Sequence, residues 1–444
     1  MLRTHITTLS LLALLGSPAF GQLTMLRGKL LKRPTPVTAQ PNIVVILADD
    51  FGVDLMSSYG EGAAPPCTPN LDQLAASSLL FRNAWANPTC SPTRSALLTG
   101  RYGFRTGIGT PGGVTLPLSE TLIPELLESA GYASAAIGKW HLGSGSMHPN
   151  ASGFGQYAGS LSGQLPDYDM WTKTVDGNSS TSQTYATTDT TDEASLAMLT
   201  LPEPWFLYVN YNAPHTPIHV PALGLCPAGG CSTSYCSSAG PGMGMTPAER
   251  IKSMCEAMDT EIGRLLALLD ALDPQAYVIF MGDNGTSNQG SEPPFVGTKA
   301  KGTVYEGGIN VPFIVRGPGV TVTETQSLVS VTDLHATLAE LAGVQSQAED
   351  SISIVPVLSN PALTPRHTVY SETFSPNGSG PWTDHRRAVR DDRYKLIRRL
   401  GQSDEFYDLL ANPFETINLL PGLSVDEQTA FDALAGELVA LGVD

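Results

Sequence analysis

Four short apolar runs, each stopping at a charged or imidazole-bearing tip, constrain this chain more than any other feature. Asn42 to Ala48 ends in Asp49-Asp50, and Ala133 to Gly138 leads into Lys139-Trp140-His141. Phe206 to Val209 runs into Asn210-Tyr211-Asn212-Ala213-Pro214-His215, and Ala276 to Gly282 delivers Asp283-Asn284-Gly285. Continuous apolar runs of this length suit parallel strands covered on both faces. Helical periods lie between them, at 116–129 and 249–272; in the second, Met254, Met258, Ile262, Leu265, Leu266 and Leu269 repeat on one face. Strands alternating with helices predict an α/β fold: a large mixed, mostly parallel sheet sandwiched by helices.

Open sheets of this kind hold ligands beyond the carboxyl ends of their strands, where these tips fall. Adjacent carboxylates there repel one another unless a cation lies between them. Asp49, Asp50, Asp283 and Asn284 offer only oxygen ligands, which suits a hard cation, calcium first and magnesium second. Taken singly, Asp50 or Asp283 also fits a helix cap or a turn; taken together, the four point to a metal.

A second feature is Cys90-Ser91-Pro92-Thr93-Arg94, continuing as SALLTGR to Arg101. Proline is pre-set for a first helical turn, so the pattern predicts a helix starting at Cys90, with Gly100 as its stop. Cys90 then faces unpaired N–H groups at the positive end of the helix, a setting for an anion.

The net charge of -17 argues against a nucleic-acid partner and means that an anionic substrate must be captured by locally placed cations. Residues 1–21 read as a secretory signal peptide and 22–40 as a linker, giving an exported product, secreted or periplasmic; no later apolar run is long enough to span a bilayer. Cys226, Cys231, Cys236 and Cys255 cluster in a way that favours disulfides over zinc, with three pairings open, which leaves Cys67 as a buried thiol. Residues 143–191 read as long loops over the sheet ends. Residues 366–410 alternate in short runs between turn residues, predicting antiparallel strands, and a helix follows at 425–441. The expected organisation is one large domain over 41–365 and a smaller C-terminal α+β unit over 366–444, containing an antiparallel sheet.

Pro88 to Gly100 (PTCSPTRSALLTG) resembles the signature of the type I sulfatases, with Cys90, Pro92 and Arg94 at the C-x-P-x-R positions. The resemblance extends over nearly the whole chain. It includes Asp49-Asp50, Gly131 to His141 (GYASAAIGKWH), Asn212 to Pro217, Asp283-Asn284-Gly285 and Lys301 to Gly308 (KGTVYEGG), and then Phe406 to Leu409, Asn412-Pro413 and Asn418-Leu419. It implies an alkaline-phosphatase-like fold and a sulfuric ester hydrolase acting on aryl or carbohydrate sulfates. It also implies conversion of Cys90 to formylglycine by a formylglycine-generating enzyme, with Cys90 then joining Asp49, Asp50, Asp283 and Asn284 around the metal. In the mechanism the resemblance implies, one hydroxyl of the hydrated aldehyde attacks sulfur, Lys139 and Lys301 hold the sulfuryl oxygens and Arg94 orients the diol. His215 then protonates the departing alcohol, and His141 takes the proton that lets sulfate leave.

Lys301 is preferred over Lys299 because GTVYEGG fixes the register, while His219 and His335 take a structural reading. Asn310 departs from the pattern, standing where the family commonly has arginine. Two other readings stay open. One is a phosphodiester or phosphonate monoester hydrolase of the same superfamily, against which Asn284 speaks. The other is a catalytically silent secreted binding protein in which Cys90 remains a thiol.

Overall fold

The computed structural model describes residues 40–113, 115–227, 235, 244–295 and 297–443. Strand β1 (Ile43–Ala48) is buried along its whole length. Its alternate residues serve two different cores: Val44, Ile46 and Ala48 face one helical layer, and Ile43, Val45 and Leu47 face the other. That two-sided burial is why the run shows no polar alternation.

The main sheet has ten strands in the order β10-β2-β9-β8-β1-β7-β3-β4-β5-β6. They are β2 (Leu79–Trp85), β3 (Ala133–Gly138), β4 (Gln156–Gly159), β5 (Trp171–Val175), β6 (Asn178–Ser182), β7 (Trp205–Asn210), β8 (Tyr277–Gly282), β9 (Phe313–Arg316) and β10 (Thr323–Ser330). At its centre β8, β1, β7, β3 and β4 run parallel, so four of the charged tips named above emerge along one edge.

Helix α1 (Cys90–Thr99) begins at the cysteine and ends at Gly100, whose φ of 67° is left-handed and whose N–H donates to Ala96 O at 2.9 Å. Helix α2 (Ile123–Glu128) is shorter than the period over 116–129 suggested. Pro124 lies in its first turn, and a proline ring clashes with the carbonyl four residues back, so the helix cannot extend toward Leu116. Helices α3 (Ala186–Thr200) and α4 (Pro247–Leu272) pack on the first face, α4 opening with a capping box between Thr246 and Glu249.

Residues 143–191 are more regular than loops. They supply β4, β5 and β6 and the start of α3, with β5 and β6 joined through Asp176-Gly177, both at positive φ. This two-residue Asp-Gly turn is a hairpin signal, masked because β6 is polar and exposed at the sheet edge.

A second, antiparallel sheet follows in the order β11 (Val369–Ser375), β12 (Asp384–Arg390), β13 (Tyr394–Arg399) and β14 (Glu405–Asp408), with helix α5 (Val425–Leu441) against it. Lys395 of β13 is fully buried and joins the two sheets. Its Nζ lies 2.9 Å from Glu306 and 2.7 Å from Glu415, and 4.7 Å over the Trp85 ring.

The cysteines differ from expectation. Cys67 is disulfide-bonded, whereas Cys226 and Cys255 are free thiols. Cys255 sits on the buried face of α4, where helical packing rather than loop proximity decides its neighbours. Cys231 and Cys236 lie outside the described residues, as do the expected signal peptide and all but the last residue of the expected linker. Among the described residues no helix is long and apolar enough to cross a membrane.

Candidate active site

The tips of β1, β3, β7 and β8 and the start of α1 converge. Ligand atoms of Asp49, Cys90 and Asp283 lie within 4.8 Å of one another, and so do those of Asp49, Asp50 and His215. Asp50 holds a left-handed φ of 68° and its N–H donates to Asp283 Oδ1 at 3.2 Å, tying the β1 and β8 tips together. A non-glycine residue in that region is strained and persists only where its surroundings hold it. Asn284 Nδ2 donates to Asp50 Oδ1 at 2.9 Å.

The charges are paired inside the cavity. Lys139 Nζ contacts Asp49 and Lys301 Nζ contacts Asp50. Arg94, completely buried, donates to Asp283 Oδ2 through Nε at 3.1 Å and Nη2 at 2.8 Å, and through Nη1 to Asn210 Oδ1 at 2.8 Å and Lys139 O at 3.0 Å. Burial alone would raise the Asp49 carboxyl, but Lys139, His215, Lys301 and Arg94 together hold it below the usual carboxylate range. Burial and the neighbouring Asp49 charge push Asp283 up to about 6 even with Arg94 beside it. Each of the three carboxylates thus has a cation against it, Asp49 with Lys139, Asp50 with Lys301 and Asp283 with Arg94.

Two oxygens mark where a further cation fits. Asp49 Oδ1 and Asn284 Oδ1 are buried with no hydrogen-bond partner, a costly state for a carboxylate and an amide unless an ion takes them up. The donor set is oxygen-only apart from residue 90, so a hard divalent cation fits.

On the other side, Cys90 Sγ is 3.1 Å from His141 Nδ1, and Ser91 Oγ donates to His141 O at 2.8 Å. His141 also carries a positive φ, 56°. Gly163 is packed so closely on its ring that a Cβ there would stand 2.2 Å from Nε2. Burial, then Lys139 and Arg94, hold this imidazole well below its usual pKa, and burial raises the Cys90 thiol.

All ten residues expected at the site, Asp49, Asp50, Cys90, Arg94, Lys139, His141, His215, Asp283, Asn284 and Lys301, are therefore linked through this one network of contacts. Lys299 is elsewhere, donating to Phe414 O and Glu415 O at 2.7 and 2.6 Å. His335 is buried against Ser346. Asn310 makes no ion pair among the described residues; its Nδ2 donates to Arg82 O at 3.2 Å, and Glu306 is served by Lys395 and, at 3.6 Å, Arg390. Asn210, which accepts from Arg94, escaped the sequence reading, although its place as the last residue of β7, level with Gly138 at the end of β3, was a usable signal.

A parallel-centred sheet with an oxygen-rich cation cradle beside a helix-start cysteine is the arrangement of the alkaline-phosphatase-like fold. The chain belongs to the sulfatase family and is a sulfuric ester hydrolase: residues 41–344 match the Sulfatase family, and residues 297–439 match the family described as N-sulphoglucosamine sulphohydrolase, C-terminal. It is 33% identical over 382 residues to human N-acetylgalactosamine-6-sulfatase, covering 74% of this chain and 68% of that protein. It is 31% identical over 432 residues to rat arylsulfatase G, covering 82% and 76%. Its fold matches the crystal structure of Ps i-CgsB with a TM-score of 0.76 at 24% identity, covering 90% of this chain and 92% of that one. A protein solved with its substrate D-glucosamine-2-N,6-O-disulfate matches with a TM-score of 0.71 at 21% identity, covering 90% and 97%.

Proposed function

We propose that this sulfatase is an exported enzyme that removes sulfate from sulfated sugars, using residue 90 as formylglycine and a calcium ion held by Asp49, Asp50, Asp283, Asn284 and residue 90. The observation that carries the reading is the crowding of Asp49, Cys90 and Asp283 within 4.8 Å beside the orphaned oxygens of Asp49 and Asn284. The ion, magnesium being second choice, would supply charge to the sulfuryl oxygens when bound. Lys139 and Lys301, now held by Asp49 and Asp50, are placed to hold sulfate oxygens as well. Arg94, locked to Asp283 and Asn210, fixes the start of α1 and with it residue 90. His141, neutral and 3.1 Å from Sγ, takes the proton from residue 90 that frees sulfate. His215 gives a proton to the departing alcohol oxygen. Sugar substrates are supported by the relatives named above, and export by the N-terminal stretch with its apolar run.

The test is mass spectrometry of the peptide containing Cys90 from the native host, joined to turnover of monosulfated sugars, an aryl sulfate and an aryl phosphonate on one preparation. The expected result is an aldehyde at position 90, sulfate release from at least one sugar, and loss of turnover on chelation that calcium restores. An unmodified thiol, or faster phosphonate cleavage, would overturn the reading.

A further inference from the structure

Tyr168 lies between β4 and β5, outside every motif of the sequence, and is 2% exposed. Its hydroxyl stands 2.7 Å from Asn212 O and 2.7 Å from His215 O. Both partners are carbonyls and can only accept, so the phenol is the donor and its one proton is shared between the two ends of the turn. His215 N–H donates back to Asn212 O at 2.9 Å, closing the turn on itself. The far end is held by the same ring: Tyr168 packs on His219 at 4.4 Å between centroids. His219 Nδ1 in turn is 2.9 Å from Pro217 O, and its Nε2 is 2.9 Å from Tyr185 Oη. Ala186 N–H donates to Tyr168 O at 2.8 Å, anchoring the tyrosine to the start of α3. Burial raises the phenol well above its usual pKa, so it remains a donor at any working pH.

Within the turn, Thr216 decides which nitrogen of His215 serves the site. His215 Nδ1 is 3.1 Å from Thr216 O, and because a carbonyl only accepts, Nδ1 carries a proton and donates there. Nε2 is left for the cavity.

We propose that Tyr168 is a positioning residue for leaving-group protonation, holding the 212–219 turn so that His215 Nε2 meets the ester oxygen. This rests on the role given to His215 above. As the S–O bond to the alcohol breaks, its electron pair stays on the departing oxygen; His215, protonated on both nitrogens before the step, passes the Nε2 proton to that oxygen and is left as the neutral Nδ1–H tautomer.

The experiment measures kcat and kcat/KM for a series of aryl sulfates, from 4-nitrophenyl to 4-methylphenyl sulfate, with wild type, Tyr168→Phe and His215→Ala. A phenolate as stable as 4-nitrophenolate departs without a proton, whereas a more basic one needs it. The expected outcome for Tyr168→Phe is a loss of less than about threefold on the nitrophenyl ester and of roughly tenfold or more on the methylphenyl ester, following the steeper dependence of His215→Ala. Uniform loss across the series, or none, in Tyr168→Phe beside a steep His215→Ala overturns the positioning role alone. A flat series for His215→Ala overturns the assignment of His215 itself. Should Tyr168→Phe not fold, Tyr185→Phe, which loosens His219 and the ring clamp, is expected to show the same selectivity with smaller amplitude; a uniform effect there counts against the proposal.

Discussion

Asp259, on α4, turns its carboxylate onto the start of the helix at Pro69–Ala76. Oδ1 accepts from Leu71 N at 2.8 Å, and Oδ2 accepts from Asn70 N at 3.2 Å and Asn70 Nδ2 at 2.8 Å. Burial outweighs these bonds and pushes the carboxyl from 3.8 to about 6. A carboxyl raised on folding adds stability below its unfolded pKa and loses it as pH rises through the folded one, about 3 kcal/mol for this shift. In urea unfolding, the stability of wild type minus that of Asp259→Asn is expected to fall by roughly 2 kcal/mol of this between pH 4 and 7 and to stay level above. A difference that does not change with pH would contradict this. At this scale the sequence was informative wherever a residue ended an apolar run, as Asp49, Lys139 and Asp283 do. It was silent on Tyr168 and Gly163, because the Tyr168 hydroxyl meets Asn212 44 residues on and Gly163 meets His141 22 residues back, and it misread Cys67, which is disulfide-bonded, as a thiol; no local period reports such pairings.

Helix α1 is closed by Gly100, and a Cβ there would stand 2.6 Å from Ala348 Cβ and 2.8 Å from His335 Cβ. The left-handed φ adds a backbone penalty to that clash, so Gly100→Ala is expected to lower stability by roughly 2–4 kcal/mol. Thermal unfolding checks this, with Gly112→Ala, which meets nothing within 4 Å, as the comparison. Elements whose pattern and caps agree were legible: α5 spans the expected 425–441, and Ser424 and Glu427 form its capping box. Elements at the sheet edge were not. Strand β6 reads NSSTS, and only pairing with β5 makes it a strand.

For the whole molecule, the joint between the two sheets rests on one buried lysine. Lys395 is the shared cation of Glu306 and Glu415, both buried, and Trp85 Nε1 also donates to Glu306, at 3.3 Å. Lys395→Met keeps the packing over Trp85 but leaves two buried carboxylates short of a counter-charge. The expected loss is about 3–5 kcal/mol in denaturant unfolding. An effect below about 1 kcal/mol would show that Arg390 suffices. The two-sheet arrangement followed from the short alternating runs of residues 366–410, but the joint did not, since a lysine in an exposed-looking YKLIRR run carries no sign of full burial.

Glu306 sits five residues after Lys301, so the strand that neutralises it is made about ninety residues later than the loop it steadies. A nascent chain halted before position 395 would hold all ten residues of the site yet lack the buried lysine that Glu306, five residues beyond the last of them, is paired with.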